Sequence, residues 1–193
     1  MIALKRLSAP QALPVSLSDC KRDLRILDDD EDAYISSLIG AAVDYVDGYE
    51  GVLGHALITQ TWQLTLSKLS DLIVLPFAPI QSIAQVAYYD QSNETQVLEG
   101  AYRLVGDNSR ARLERDQGVT LPGTYDRMDA VSIDFVAGYG GASAVPLSIK
   151  RAIRLLVAHW FEHPTPVVAG KALASVPVSF DALISQHCRR FVA

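Results

Sequence analysis

The chain reads as an α+β protein, an α-helical bundle core carrying an inserted small, mainly antiparallel β region. Three observations lead there. Apolar residues recur at three- and four-residue steps near both ends of the chain, from Leu17 to Tyr49 and from Ile149 to Trp160. Between these stretches, from about Ile58 to Val136, the period falls to two. The composition is that of a packed chain: 49% of the 193 residues are hydrophobic and 20% charged, which excludes a disordered or fibrous polymer. A chain of this length hides roughly 70% of its unfolded surface on folding. It can therefore build one domain with an insertion and needs no disulfide or metal staple.

The elements follow in order. Ser16 with Asp19 has the form of a capping box, and Leu17, Cys20, Leu24 and Leu27 then share one face of a short amphipathic helix. The acidic run Asp28 to Asp32 opens a longer helix whose stripe is Ile35, Leu38, Ile39, Ala42, Val46 and Tyr49, ending near Gly48 and Gly51. From Ile58, Gln60, Trp62, Leu64 and Leu66 alternate with Thr59, Thr61, Gln63 and Thr65 as a strand. Further strands are expected at Leu72 to Leu75, Ile83 to Tyr89, Gln96 to Leu98, Tyr102 to Val105 and Val131 to Val136. Turn-forming clusters at Asp90 to Asn93, Gly106 to Ser109 and Pro122-Gly123 separate them. After the glycines at 138, 140 and 141, Pro146 suits a first helical position. Ile149, Ile153, Leu156, Val157 and Trp160 make the stripe of a strongly apolar helix that Pro164 stops. Pro164 to Val178 reads as an apolar, proline-broken linker, and a last helix starts near Ser179 with Phe180, Leu183, Ile184 and Phe191 on one face. The expected organisation is 1–56 as the N-terminal helical part of the core, 57–137 as the β insertion, 138–163 as the core helix, and 164–193 as linker and C-terminal helix, all within one structural domain.

Several function classes fall away on these data. The longest apolar runs, Leu72 to Ile80 and Leu155 to Phe161, fall well short of the ~20 residues that cross a bilayer, so no membrane span is expected. Lys5 and Arg6 have no continuous apolar segment behind them, which makes a poor secretory signal and leaves the cytoplasm as the expected compartment. Cys20 and Cys188 have no metal-type or redox-type spacing and read as reduced thiols. With 17 basic against 22 acidic residues the net charge is -5, contrary to a free-standing protein that binds nucleic acid by neutralising phosphates. A protein that DNA must slide past remains compatible.

The chemical signals are weak. His159-Trp160-Phe161-Glu162-His163 matches the H-x-x-E-H spelling of inverted zinc peptidases, and two histidines four apart on a helix can share a metal. No Glu follows Glu162 to serve as third ligand, and Pro164 ends the helix at the motif, so the histidines read as a helix C-terminus. The Asp28 to Asp32 run is not an EF-hand loop, because Ala33 stands at its sixth position and Ile39 at its twelfth. No G-x-S-x-G turn occurs, and Gly138-Tyr139-Gly140-Gly141 lacks the third glycine of a phosphate cradle. One local rule is broken: Lys150, Arg151 and Arg154 place three cations in the first turns of a helix whose N-terminus already carries positive partial charge. Solvent screening accounts for them as exposed charges; an acidic partner surface or passing nucleic acid is the other account.

Taken in order, certain segments resemble a known family. They are Pro14-Val15-Ser16-Leu17, Tyr45-Val46-Asp47-Gly48-Tyr49, Gln60-Thr61-Trp62-Gln63-Leu64, Leu75-Pro76 with Pro79-Ile80-Gln81-Ser82-Ile83, Phe135-Val136-Ala137-Gly138-Tyr139-Gly140, and Val145-Pro146 ahead of Ile149-Lys150-Arg151-Ala152-Ile153 and Leu156 to Glu162. The set resembles the head-tail connector (adaptor, head-completion) proteins of tailed phages, prophages and gene transfer agents, in the subgroup with a β insertion. The likeness runs from about Pro14 to Arg190 and rests on the ordered set, no single motif being diagnostic.

The resemblance implies a structural protein without catalysis, cofactor or metal. It implies a homo-oligomeric ring, dodecameric in the particle and open to being a monomer in isolation. That ring would sit below the portal protein, extend the DNA channel without binding DNA specifically, and offer a platform to a tail-completion or stopper protein. Assembly in the host cytoplasm followed by residence at the head-tail junction of the particle is implied with it. The competing classes are a metal-dependent hydrolase using His159, Glu162 and His163, and a small DNA-binding regulator using Lys150, Arg151 and Arg154. The candidate portal or subunit interface is Val167, Val168, Leu173, Phe180, Leu183, Ile184, Arg189, Arg190 and Phe191. Residues from about Pro164 are expected to be mobile in the free subunit and ordered on docking. Lys150, Arg151 and Arg154 form the candidate charged contact surface.

Overall fold

A computed structural model describes residues 3–76, 78–106, 110–164 and 178–188. The chain forms two compact units, Met1–Gln11 with Ile58–Tyr139, and Ala12–Leu57 with Gly140–Ala193.

The first unit is all strand. It comprises β1 (Ala3–Ser8), β2 (Gln60–Leu66), β3 (Leu72–Val74), β4 (Ile80–Tyr89), β5 (Thr95–Val97), β6 (Tyr102–Gly106), β7 (Ala111–Arg115) and β8 (Val131–Ala137). One sheet has the order β1-β2-β8-β4-β5 and a smaller one β3-β7-β6, with every pairing antiparallel. β8 is central because its alternation is strictest: Val131, Ile133, Phe135 and Ala137 are buried, while Ser132, Asp134 and Val136 are half-buried. Its register with β2 runs from Gln60 opposite Ala137 to Leu66 opposite Val131, which puts Leu64 beside Ile133 in the core. A hydrogen bond from Gln63 Nε2 to Asp134 Oδ1, 2.8 Å long, ties the two strands on the other face.

Two of these strands depart from expectation. The sequence pattern places the first residues in the helical part, yet Ala3–Ser8 is an edge strand on β2, with Arg6 stacked over Trp62 at 5.8 Å. It is an edge strand with exposed Lys5 and Arg6, so it lacks the alternation that marks a half-buried strand. β7 was not anticipated either: Arg112, Glu114 and Arg115 give it a polar appearance, and only Ala111 and Leu113 are buried.

The second unit is helical. It holds α1 (Leu17–Leu24), α2 (Asp32–Val46), a 3-10 turn (Ala142–Ala144), α3 (Leu147–Glu162) and α4 (Val178–Ile184). Ser16 caps α1, its Oγ accepting from the Asp19 N–H at 3.1 Å. α3 packs against each of the other three helices, which is why Ile149, Ala152, Ile153, Leu156 and Val157 are all buried. Cys20 of α1, Ile35 and Ile39 of α2, and Phe180 and Ile184 of α4 complete the core. Tyr45 meets both Trp160 and Phe180, at ring distances of 6.3 and 6.0 Å. Pro146 is the residue before α3, one position earlier than expected.

One helical expectation needs correction. Leu27 does not continue the α1 stripe. Arg25 takes a left-handed conformation (φ 59°) and the Ile26 N–H reaches back to the Lys21 carbonyl at 3.0 Å, which closes the helix and leaves Leu27 96% exposed. At the C-terminal end, Val178–Ile184 is a short helix whose Phe180 and Ile184 are buried against α2 and α3. No described helix is long and apolar enough to cross a membrane.

Candidate functional site

The three cations that break the helix-dipole rule converge on the helical unit's own surface. Asp23, in the last turn of α1, accepts from Arg154 Nε at 2.7 Å and from Arg151 Nη1 at 2.9 Å, and pairs with Arg154 through a second guanidinium nitrogen. Lys150 Nζ donates to the Ala142 carbonyl at 3.0 Å. Neither solvent screening nor an outside partner is needed to hold Arg154, whose side chain is 24% exposed; Arg151, at 51%, still offers guanidinium N–H groups outward. Sequence spacing does not reveal Asp23, because a single carboxylate on an amphipathic helix carries no sign of a partner more than a hundred residues away.

These cations form one lip of a groove of about 710 Å³. Its apolar side comes from Leu13, Pro14, Leu17 and Leu147. Leu147 is 80% exposed, since it stands outside the stripe that starts at Ile149. That offset was the available signal for an unpartnered apolar side chain at the helix start.

The remaining candidates separate. Phe180 and Ile184 face the unit's own core, each almost fully buried. Leu183 is half-buried. Val167, Val168, Leu173, Arg189, Arg190 and Phe191 lie outside the described residues. His187 Nε2 lies 2.7 Å from Ser148 Oγ, a link between the end of α4 and the start of α3, and burial pushes the His187 imidazole below its ordinary pKa.

The peptidase-like histidines do not make a metal centre. His159 and His163 stack with ring centroids 4.9 Å apart, and His163 Nδ1 lies 3.1 Å from the His159 carbonyl, so that nitrogen is turned to the helix backbone. Among the described residues no group of three or more metal-binding side chains exists. Nor is there an activated thiol. Burial pushes Cys20 up to about 11, and Cys188 is raised by burial as well.

Comparison with known proteins agrees with the architecture. Residues 14–106 match the family model of the phage gp6-like head-tail connector protein. A chain from the neck of an empty gene transfer agent particle, computed with C6 symmetry, is 28% identical with a TM-score of 0.80, covering 99% of this chain and 97% of that one. A chain from the virion of a native gene transfer agent particle is 28% identical with a TM-score of 0.77, over 98% of this chain and 97% of that one. A third, from the neck of the native particle computed with C12 symmetry, is also 28% identical, with a TM-score of 0.76 over 99% and 97%. No curated protein matches the chain. Matched over residues 14–106 by the connector model and over nearly its whole length by chains of gene transfer agent particles, this chain is similar to head-tail connector proteins, and the likeness supports a structural connector role and not an enzymatic one.

Proposed function

We propose that the chain forms a homo-oligomeric ring, of twelve copies in the particle, at the head-tail junction of a phage, prophage or gene transfer agent. The observation that carries this reading is the near full-length likeness to a chain of a gene transfer agent neck computed with C12 symmetry. In it, the helical unit is the bundle core of each subunit and the strand unit is the inserted region. The ring sits below the portal, extends the channel through which DNA passes, and presents a platform to a tail-completion or stopper protein. Leu183, with Val167, Val168, Leu173, Arg189, Arg190 and Phe191, belongs to the surface that meets the portal or a neighbouring subunit. Assembly takes place in the host cytoplasm, and the finished ring stays in the particle.

Deletion of the coding sequence tests this reading. The expected product is DNA-filled heads without tails, restored to tailed particles by supplying the chain in trans. Tailed particles in normal yield without the chain would overturn it.

A further inference from the structure

Leu27 is the most exposed large apolar side chain among the described residues, and Asp28, Asp29, Asp30 and Glu31 follow it directly. The loop that presents it is held in shape. The left-handed cap at Arg25 turns the chain out of α1, Lys21 Nζ grips Asp29 at 2.7 Å and Asp32 at 2.6 Å, and the Asp32 N–H donates to the Asp29 carbonyl at 3.2 Å. Among the described residues Asp28, Asp30 and Glu31 make no ion pair. The result is a preorganised knob with an apolar tip and free carboxylates.

The groove beside the start of α3 has the complementary character. Its apolar side is Leu13 and Leu147, 47% and 80% exposed. Its lip is Lys150, Arg151 and Arg154, against which stand only the carboxylates of Asp19 and Asp23, and Asp19 is itself paired with Arg22. The apolar side of the groove lies by the N-terminal end of α1, whereas the knob follows its C-terminal end. Leu27, 96% exposed and absent from the groove's lining, does not fill the groove of its own chain.

We infer that the Leu27–Asp30 knob of one copy docks in the groove beside Leu147 and Arg151 of the next copy. Two different patches on one protomer make a head-to-tail contact, the kind that closes into a ring under rotation. Leu27 enters between Leu13 and Leu147, while Asp28 and Asp30 meet the outward N–H groups of Arg151 and Lys150. The inference rests on the ring reading and adds the partner surfaces to it.

Cysteine trapping in assembled particles tests it. Leu27→Cys and Leu147→Cys alter two side chains that barely touch the fold, in a Cys188→Ser background with Cys20 left buried. Particles built from the chain carrying both changes should give, on mild oxidation, a ladder of disulfide-linked multimers. Particles built from a mixture of the two single variants should stop at a dimer. A lysine-directed cross-linker applied to the same particles separates the two readings. Multimers with that reagent but no cysteine ladder would overturn the knob-and-groove contact and leave the ring, with the groove open to another particle protein. No multimers with either reagent would overturn both. A second variant, Leu27→Asp, should lower the yield of tailed particles by about tenfold or more while the isolated chain melts as before. Normal yield from Leu27→Asp would also count against the contact.

Discussion

Asp23 and Arg154, 131 positions apart, form a two-nitrogen clamp between α1 and α3, and Arg151 shares one of the carboxylate oxygens at 2.9 Å. Each partner alone sits badly with its own helix. Asp23 lies in the last turn of α1, where the dipole disfavours an anion, and the arginines lie in the first two turns of α3, where it disfavours cations. Paired, each supplies the charge that the other helix end lacks.

Loss of the clamp should therefore destabilise the helical unit. Asp23→Ala leaves two arginines facing each other at a half-buried seam, and the expected cost is about 1–2 kcal/mol, between the worth of an exposed pair and that of a buried one. Arg154→Lys should recover only part of the loss, because an ammonium cannot span both carboxylate oxygens as the guanidinium does. Urea melts of the wild type and both variants measure this. An unchanged midpoint for Asp23→Ala would show that the clamp contributes nothing.

Gly138 governs how the chain leaves β8. Its φ is +121°, its N–H donates to the Pro79 carbonyl at 2.9 Å, and an added Cβ would run into the Ile58 carbonyl at the entrance to β2. Gly138→Ala should cost about 1–3 kcal/mol or more, from the strained φ together with the displaced backbone. Gly141→Ala is the control, since nothing stands within 4 Å of its would-be Cβ and its φ of -75° suits any residue. Equal melting temperatures for the two variants would refute the assignment.

The pH dependence follows from groups at both ends of the scale. Asp29 is held low by its hydrogen bond from Lys21, Asp90 by backbone N–H groups of its own turn and by Gln96, and Asp129 by Arg127. A carboxyl with a depressed folded pKa stabilises the fold above its unfolded value of 3.8, and that contribution is lost as pH falls through and below it. Cys20 works in the opposite direction. Burial raises its thiol from 9.0 to about 11, so the folded state holds the proton more tightly and stability declines as pH rises through that interval. Melting temperature should form a plateau between about pH 5 and 8, falling on both sides. Cys20→Ala should flatten the alkaline side, and an alkaline limb identical to that of the wild type would exclude Cys20 as its cause. The native thiol should also resist alkylation at pH 8 until the chain is unfolded.

How much of this was legible beforehand depends on where each residue finds its partner. The Ser16 cap, the alternation in β8 and the stripe of α3 are local patterns, and the folded chain keeps them. Ala3–Ser8 earned no strand assignment because its pairing partners, Thr61 to Thr65, lie more than fifty residues away and its own side chains are mostly exposed. β7 stayed hidden for a related reason, its charges being satisfied on the sheet surface by Arg112 with Glu114 and Arg115 with Asp71. The groove was half legible. Its cations stand out by violating the dipole rule, but the spacing of Leu27 fits a helix face, and only the left-handed turn at Arg25 shows it to be a projection. Tertiary closure, which sequence spacing does not encode, decided each of these.

The same charge pairing bears on DNA. A net charge of -5 per chain is multiplied by ring formation, so the assembled surface is acidic on balance and repels phosphate. Several of the cations that could locally reverse this are paired: Lys21 with Asp29 and Asp32, Arg115 with Asp71, Arg127 with Asp129, and Arg151 and Arg154 with Asp23. A phosphate contact at any of these five cations would have to compete with its carboxylate, and the counterion-release gain that drives DNA binding would be offset by the weakened pair. The isolated chain should therefore bind duplex DNA no more tightly than the ~10⁻⁴–10⁻⁶ M typical of non-specific contact, with no preference for sequence. Fluorescence anisotropy with a labelled duplex, titrated at low and at physiological salt, measures this directly. Submicromolar affinity that collapses with salt would contradict a channel through which DNA slides, and would return Lys150, Arg151 and Arg154 to the role of a nucleic-acid contact. Asp23→Asn supplies the internal control: releasing the two arginines should strengthen low-salt binding, because the clamp and not a shortage of cations keeps this surface from holding phosphate.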